Sequence, residues 1–178
     1  MDAFDVLGLP PSLELDPASL EQRYRELQRQ LHPDKFVQAS SSERRASLAR
    51  AVTVNDAYRT LKDELKRAEV LFARFSGRKA QGEQATAEPE LLMEMMELRE
   101  ELSGVRKRGD VDRAGELRRQ VTALQASALA TLRSAFASTP DARNDGLRHK
   151  AEQALMRLRY YKRFQDEVVA FEDDIDAD

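Results

Sequence analysis

The sequence predicts an all-α protein built from two helical parts. Apolar residues recur at helical spacing along the whole chain, and no stretch alternates apolar with polar residues while being rich in Val, Ile and Thr. Of the 178 residues, 41 % are hydrophobic and 34 % are charged, and Trp is absent, which is typical of a helical protein with a thin core of Leu, Ala and Val. Residues 76–88 contain two Gly and no large apolar residue, so we place a linker there.

The first part begins with two helices. Residues 3–7 form a short helix, which Gly8 and the prolines after it end. The second helix starts after Asp16, a good N-cap residue, with Pro17 at its first position, and ends before Pro33 because a residue that precedes proline avoids the α region. Its apolar residues form a one-sided stripe that we assign to the core: Leu20, Tyr24, Leu27 and Leu31.

Two further helices complete the first part. Ser40 and Glu43 have the spacing of a capping box, so we expect the third helix to begin there and to continue to about residue 61. The predicted inner face of this helix consists of Leu48, Ala51, Val54, Tyr58 and Leu61. A fourth helical segment has four apolar residues on one side, namely Leu65, Ala68, Phe72 and Phe75.

Three helices make up the second part. We place them at about residues 89–106, 111–138 and 142–171. Gly104 and Gly109 with Asp110 mark the first turn between them, and residues 139–141 form the second. Short connections join antiparallel neighbours, so this part is predicted to be a three-helix bundle. The chain therefore divides into a first domain (1–75), a linker (76–88), the bundle (89–171) and a frayed acidic tail (172–178).

Inner faces in the bundle follow from the same spacing. The sixth helix is predicted to bury Leu117, Val121, Leu124, Ala128 and Leu132. The last helix is predicted to bury Leu147, Ala151, Ala154, Leu158 and Tyr161.

Several functional classes are excluded by what the sequence lacks. With no Cys, there is no disulfide, zinc–thiolate site or thiolate-held cluster, and two His make a His-rich metal site improbable, so we expect neither metal nor cofactor. The net charge of −3 argues against bulk nucleic-acid binding. No apolar run approaches the roughly 20 residues of a membrane span, and the acidic first residues do not suit a signal peptide, so a cytoplasmic protein without membrane contact is expected.

The tripeptide His32-Pro33-Asp34 lies in the predicted turn between the second and third helices. Its simplest interpretation is a polar turn that stops a helix, and a catalytic His–Asp pair is a poorer one because no nucleophile or metal ligand is specified nearby. Three features around the tripeptide favour a functional role for it. A basic amphipathic helix precedes it, a Ser-rich loop follows it, and the third helix ends in Asn55-Asp56-Ala57-Tyr58. With this context, residues 1 to about 75 resemble the J-domain, the module by which co-chaperones stimulate DnaK-like ATPases.

The resemblance implies that His32, Pro33 and Asp34 are needed for ATPase stimulation and that the outer face of the second helix binds the ATPase. Helical geometry independently places Arg25 and Arg29, with Gln22, opposite the inner stripe, and Lys35 adds a cation beside the turn. A row of exposed cations suits an acidic partner, although it is also common on solvated helix faces, and Glu21 and Glu26 dilute it.

A second candidate surface lies on the first helix of the bundle. One stripe, Leu91, Met95, Leu98, Leu102 and Val105, suffices to pack this helix against two neighbours. Leu92, Met93 and Met96 remain on the other side, together with Glu97 and Glu100. An apolar patch on a solvent face marks an interface, and its acids favour a basic partner; the alternative is a helix buried on two sides.

Taken together, the two parts resemble the HscB family, the J-type co-chaperones of bacterial iron–sulfur cluster assembly, over residues 1 to about 171. The segment from Leu92 to Leu102 reads Leu-Met-Glu-x-x-Glu-Leu-Arg-Glu-Glu-Leu, as in that family. The other matching stretches are Phe4 with Leu7-Gly8-Leu9-Pro10, then Leu27-Gln28-Arg29-Gln30, His32-Pro33-Asp34-Lys35-Phe36 and Arg67-Ala68-Glu69.

This resemblance implies a co-chaperone rather than an enzyme. Its bundle binds the cluster scaffold protein (IscU-type), and its J-domain delivers the scaffold to a dedicated DnaK-like ATPase (HscA-type) and stimulates ATP hydrolysis there, which promotes cluster transfer to acceptors. The family's scaffold-binding positions map onto Leu92, Met93, Met96, Glu97, Glu100 and Tyr160. A helical wheel places Tyr160 opposite the inner stripe of the last helix, although a surface Tyr is also common.

Two departures from the family pattern stand out. Gly104 replaces a frequent acid, which weakens attraction to a basic partner, and Met96 replaces a commoner Leu at nearly equal volume. Eukaryotic relatives often add a Cys-rich zinc module, which a chain without Cys cannot form. The alternative function is a generic J-domain co-chaperone for unfolded clients, although this small, acid-rimmed patch differs from a broad apolar client groove. A metal-dependent hydrolase is the third class, and the sequence offers no ligand cluster for it.

Overall fold

The computed structural model describes residues 1–77, 87–137 and 145–176, and these residues contain helices and no strand. The all-α prediction is confirmed. Contacts group the chain into two compact units, Met1–Arg74 and Phe75–Asp178. The predicted linker falls mostly on residues 78–86, and the predicted turn at residues 139–141 and helix start at 142 also lie outside the described residues.

The first unit carries four helices, and local sequence signals set where they begin. They are α1 (Ala3–Leu7), α2 (Pro17–Gln30), α3 (Ser41–Lys62) and α4 (Glu64–Ser76), with a 3₁₀ turn at Pro33–Phe36. Asp16 caps α2 by accepting from the backbone N–H groups of Ala18 and Ser19. Ser40 and Glu43 form the predicted capping box at the start of α3.

Polar contacts show that α2 and α3 run antiparallel around the 3₁₀ turn. Tyr58 contacts Glu21, Asn55 contacts Tyr24, and Ser47 contacts Leu31, so the order along α3 reverses that along α2. The apolar residues buried in this unit come from all four helices and include Phe4, Leu7, Leu20, Leu27, Val54, Ala57, Leu61, Ala68 and Phe72. The two helices thus form a hairpin that presents the turn at one end.

One residue predicted for the inner face of α3 is not buried. Leu48 is 65 % exposed, whereas its neighbour Ser47 is 8 % exposed and donates from Oγ to the carbonyl oxygen of Leu31 at 3.4 Å. Ser47, Val54 and Leu61 are seven residues apart and form the buried row of α3, and Leu48 is rotated from that row by about 100°. The prediction was wrong here because it placed the inner stripe of α3 on Leu48 instead of on Ser47.

The second unit contains α5 (Pro89–Arg108), α6 (Val111–Ala137) and α7 (Asp145–Asp176). All three helices contact one another, and the α6–α7 contact is the largest. The predicted stripe of α5 is buried, and its members are Leu91, Met95, Leu98, Leu102 and Val105. They share one core with residues of α6 and α7 that include Leu117, Val121, Met156, Phe164 and Val168.

Two helix ends differ from the sequence prediction. Gly104 lies inside α5 rather than in a turn, and the helix ends instead at Gly109, whose φ of +64° suits a left-handed C-cap. At the other end of the chain, α7 continues to Asp176, beyond the predicted end at Phe171. Ile175 packs on the core and Glu172 pairs with Arg118 at 3.7 Å, so residues 172–176 are helical rather than frayed.

Replacing Gly104 by Ala is expected to raise the free energy of unfolding of the bundle by about 0.5 to 1 kcal/mol, because Gly inside a helix costs about that much relative to Ala. The added Cβ would lie 3.2 Å from Nη1 of Arg108, the flexible end of an exposed side chain. Urea denaturation followed by circular dichroism measures the change. Gly109→Ala is the control and should destabilise, because its φ is positive. No gain from Gly104→Ala would show that displacing Arg108 costs as much as the backbone gains.

Candidate functional site

The His-Pro-Asp tripeptide forms an exposed turn immediately after α2. His32 precedes the 3₁₀ turn as its N-cap, and Pro33 takes the first position, where its fixed φ suits the geometry. Nδ1 of His32 lies 3.3 Å from the backbone nitrogen of Asp34, from which it accepts a hydrogen bond, and 3.4 Å from Oδ2 of the same residue. The side chains of His32 and Asp34 are 60 % and 85 % exposed, so a locally held turn presents both to a partner.

The predicted cations lie beside this turn on the solvent side. Arg25, Arg29 and Lys35 are all exposed, as is Gln22. Nε of Arg29 donates to the carbonyl oxygen of Arg25 at 3.4 Å, so the two guanidinium groups follow one face of α2. Their exposure agrees with the sequence analysis, and their role in binding stays a prediction.

Glu21 was expected to dilute the positive field of α2, and the structure shows what it contacts. Its Oε1 accepts from Nε of Arg25 at 2.8 Å, and its Oε2 accepts from the hydroxyl of Tyr58 on α3 at 2.5 Å. The Tyr58 hydrogen bond, followed by that of Arg25, lowers the pKa of the Glu21 carboxyl, and the same bond raises the pKa of Tyr58. Arg25 is therefore connected through Glu21 to the opposite helix.

An apolar groove of about 410 Å³ lies next to the turn. Its apolar walls come from the end of α2, the 3₁₀ turn and α3, and comprise Leu31, Pro33, Phe36, Leu48 and Ala51. Sequence reasoning missed this groove because it assigned Leu48 to the core. The informative signal is the spacing of the buried row of α3, because Ser47, Val54 and Leu61 are seven residues apart and leave Leu48 beside the row.

The second candidate surface is the outer face of α5. Leu92, Met93 and Met96 are 42 %, 63 % and 71 % exposed, and Glu97 and Glu100 are exposed beside them. The alternative of a helix buried on two sides is therefore wrong for these residues. An exposed apolar group next to two carboxylates can bind a partner segment that combines apolar and basic residues.

Tyr160 is placed differently from the prediction. It is half-buried and packs against the core of the bundle instead of standing opposite the inner stripe. The reason is that α7 contacts both α5 and α6, so its buried face is wide and includes Leu155 and Met156. A residue at the edge of this face is partly covered, and only part of the Tyr160 ring is available to a partner.

Within residues 1–77, 87–137 and 145–176, no group of three His, Cys, Asp or Glu side chains is arranged to hold a metal ion. No helix in the same ranges combines the length and apolarity that a membrane span requires.

Comparison with protein families gives two matches that together span most of the chain. A DnaJ domain model matches residues 2–70, and a model described as the HSCB C-terminal oligomerisation domain matches residues 87–169. A protein of Vibrio parahaemolyticus called "Co-chaperone protein HscB homolog" is 34 % identical over 174 residues, covering 97 % of this chain and 98 % of the relative. A protein of the same name from Vibrio cholerae is 37 % identical over 177 residues, covering 98 % and 99 %.

Solved structures agree with these matches. The structure described as chaperone HscB from Vibrio cholerae superposes with a TM-score of 0.80 at 35 % identity, covering 98 % of this chain and 99 % of that one. The crystal structure of human co-chaperone protein HscB gives a TM-score of 0.77 at 28 % identity, covering 97 % of this chain and 82 % of that one.

Proposed function

The chain belongs to the HscB family of J-domain co-chaperones, and on this premise we propose that it connects an iron–sulfur cluster scaffold protein (IscU-type) to a DnaK-like ATPase (HscA-type) in the cytoplasm. It binds the scaffold, delivers it to the ATPase and stimulates ATP hydrolysis, which promotes cluster transfer to acceptor proteins. The observation that carries the proposal is that the chain exposes two chemically different surfaces on two separate compact units.

We assign binding and stimulation of the ATPase to residues 1–75. His32, Pro33 and Asp34 form a compact exposed turn, and Arg25, Arg29 and Lys35 place positive charge next to it. Exposed cations steer an acidic partner and fix its orientation more than they add affinity. The cations therefore speed the encounter and orient the ATPase, and the exposed turn makes the direct contact.

We assign binding of the scaffold protein to residues 89–171. Leu92, Met93 and Met96 are exposed in the free chain and would be removed from water on binding, which is favourable by about 25 cal/mol per Å² of apolar surface. Glu97 and Glu100 supply complementary charge toward a basic partner, and Tyr160 contributes the exposed part of its ring. Met side chains adapt their shape, which suits a surface that must fit another protein.

The iron–sulfur cluster is cargo in this proposal. The chain has no Cys and so contributes no thiolate to a cluster, which leaves the ligands to the scaffold. What the chain contributes is proximity, because tethering scaffold and ATPase to one molecule raises the effective concentration of the scaffold at the ATPase.

Steady-state ATP hydrolysis by the cognate DnaK-like chaperone tests the proposal, measured with and without this chain and with and without the scaffold. We expect stimulation by the chain alone and a larger, synergistic stimulation when the scaffold is also present. Stimulation that is indifferent to the scaffold, and competition by unfolded polypeptides, would instead indicate a general co-chaperone for unfolded clients. No stimulation at all would contradict the role assigned to the His-Pro-Asp turn.

A further inference from the structure

A polar cluster connects the start of α5 to the middle of α7. The hydroxyl of Tyr161 donates to Oε2 of Glu94 at 2.7 Å. Nη1 of Arg157 lies 3.6 Å from the same Glu94 oxygen and 3.5 Å from the Tyr161 hydroxyl, while Nη2 donates to Oε2 of Glu88 at 3.0 Å. Two residues of α7 thus hold two carboxylates at the beginning of α5.

Tyr161 is an unusual member of the core because it carries a hydroxyl there. The residue is 2 % exposed and belongs to the apolar cluster of the bundle. Burial, and then the hydrogen bond to Glu94, raise the pKa of Tyr161, so the hydroxyl keeps its proton and remains a donor. A buried hydroxyl bonded to a carboxylate makes a directional link that an apolar side chain cannot make.

This cluster supplies polar contacts to the start of α5. Glu88 occupies the N-cap position but its side chain makes no capping hydrogen bond, and it pairs with Arg157 instead. On the same side, a cavity of about 340 Å³ opens between these residues and α6, where Leu124, Ala128 and Thr131 form part of the wall. Apolar side chains therefore do not fill the space between the start of α5 and α6, and the polar cluster lies at the edge of this cavity.

The position of the cluster along α5 connects it to binding. Glu94 follows Leu92 and Met93 directly and precedes Met96 by two residues, so the tethered carboxylates lie on the same two turns as the exposed apolar patch. We propose that Tyr161 is a positioning residue: together with Arg157 it fixes the first two turns of α5, so that the patch meets the scaffold in one arrangement. This inference rests on the proposed function. A surface already held in its bound arrangement loses less conformational freedom on binding.

The test is Tyr161→Phe, which removes only the hydroxyl. In the ATPase assay with chaperone and scaffold, the scaffold concentration for half-maximal synergy should rise by about threefold, with about tenfold as the upper limit, because the lost hydrogen bond lies within the chain and acts on binding only through the order of α5. Stimulation without scaffold, and the maximum at saturating scaffold, should not change, because the J-domain is untouched. Glu94→Gln keeps an oxygen that accepts from Tyr161 and should stay close to wild type, whereas Glu94→Leu should behave like Tyr161→Phe.

A matched control separates positioning from loss of stability. Gln165 also links two helices of the bundle, accepting from Gln125 at 3.0 Å and donating to Thr122 at 2.9 Å, but both partners are on α6. Gln165→Met should lower the unfolding temperature without changing the half-saturating scaffold concentration. The inference is overturned if Tyr161→Phe has the same half-saturating scaffold concentration as wild type. It is also overturned if Tyr161→Phe and Gln165→Met both raise that concentration in proportion to their loss of stability. If wild type itself shows no scaffold dependence, the proposed function fails and the inference fails with it.

Discussion

His32→Gln is expected to reduce stimulation of the partner ATPase to the basal rate while leaving scaffold binding unchanged. Nδ1 of His32 accepts from the backbone nitrogen of Asp34 and lies next to its carboxylate, so the imidazole sets the shape of the turn. A Gln side chain is longer and flexible, and it does not hold an acceptor at the same place. Because His32 is exposed, the free energy of unfolding should change by no more than about 0.5 kcal/mol.

Two measurements check this expectation. Steady-state ATP hydrolysis reports stimulation, and isothermal titration calorimetry with the scaffold reports the other surface. His149→Gln is the matched control, since it makes the same change at the other exposed histidine, on α7. Normal stimulation by His32→Gln would contradict the assignment of residues 32–34 to the ATPase. Loss of scaffold binding as well would contradict the assignment of separate surfaces to the two partners.

Changing Leu92, Met93 and Met96 together to Ser is expected to weaken scaffold binding by about a hundredfold or more. Each large apolar side chain taken from water into an interface contributes about 1 to 2 kcal/mol, and each 1.4 kcal/mol is about tenfold in Kd. The three side chains are already largely exposed in the free chain, so their loss leaves no cavity. The free energy of unfolding should fall by at most about 1.5 kcal/mol, because Ser has a lower helix propensity than Leu or Met.

The same helix offers the contrasting triple variant. Leu91, Met95 and Leu98 are 0 %, 2 % and 4 % exposed, and their change to Ser should unfold the bundle. Circular dichroism measures folding and calorimetry measures binding for both variants. An unfolded Leu92/Met93/Met96 variant would show that these residues belong to the core after all. A folded variant that binds the scaffold normally would move the scaffold surface elsewhere.

Sequence predicts a feature well when the residues that determine it are close along the chain. The burial of Leu91, Met95 and Leu98 and the exposure of Met93 and Met96 follow from helical spacing alone, because α5 has one complete apolar stripe. The caps at Asp16 and at Ser40 with Glu43 were also predictable from the sequence, since each depends on residues two or three positions apart. Both the fold class and the exposed patch on α5 were therefore predicted.

Features set by tertiary packing were not predicted. The exposure of Leu48 depends on which face of α3 meets α2, and the partial burial of Tyr160 depends on α7 contacting two helices at once. Gly is typical of turns, yet Gly104 lies inside α5. The packing of the residues around it outweighs the cost of placing Gly inside a helix, which is about 1 kcal/mol relative to Ala. The bond from Tyr161 to Glu94 joins residues 67 positions apart, and no local pattern indicates it.

The tether between α5 and α7 also has a consequence for synthesis. A ribosome makes α5 before α6 and α7, so the helix that carries the exposed patch leaves the ribosome before the helix that holds its start through Arg157 and Tyr161. The first unit, Met1–Arg74, has already been synthesised by then, and N-terminal domains generally fold first during synthesis. A nascent chain therefore acquires the surface assigned to the ATPase before that assigned to the scaffold. Under the proposed function, only a chain that has completed α7 would present both surfaces in their final form.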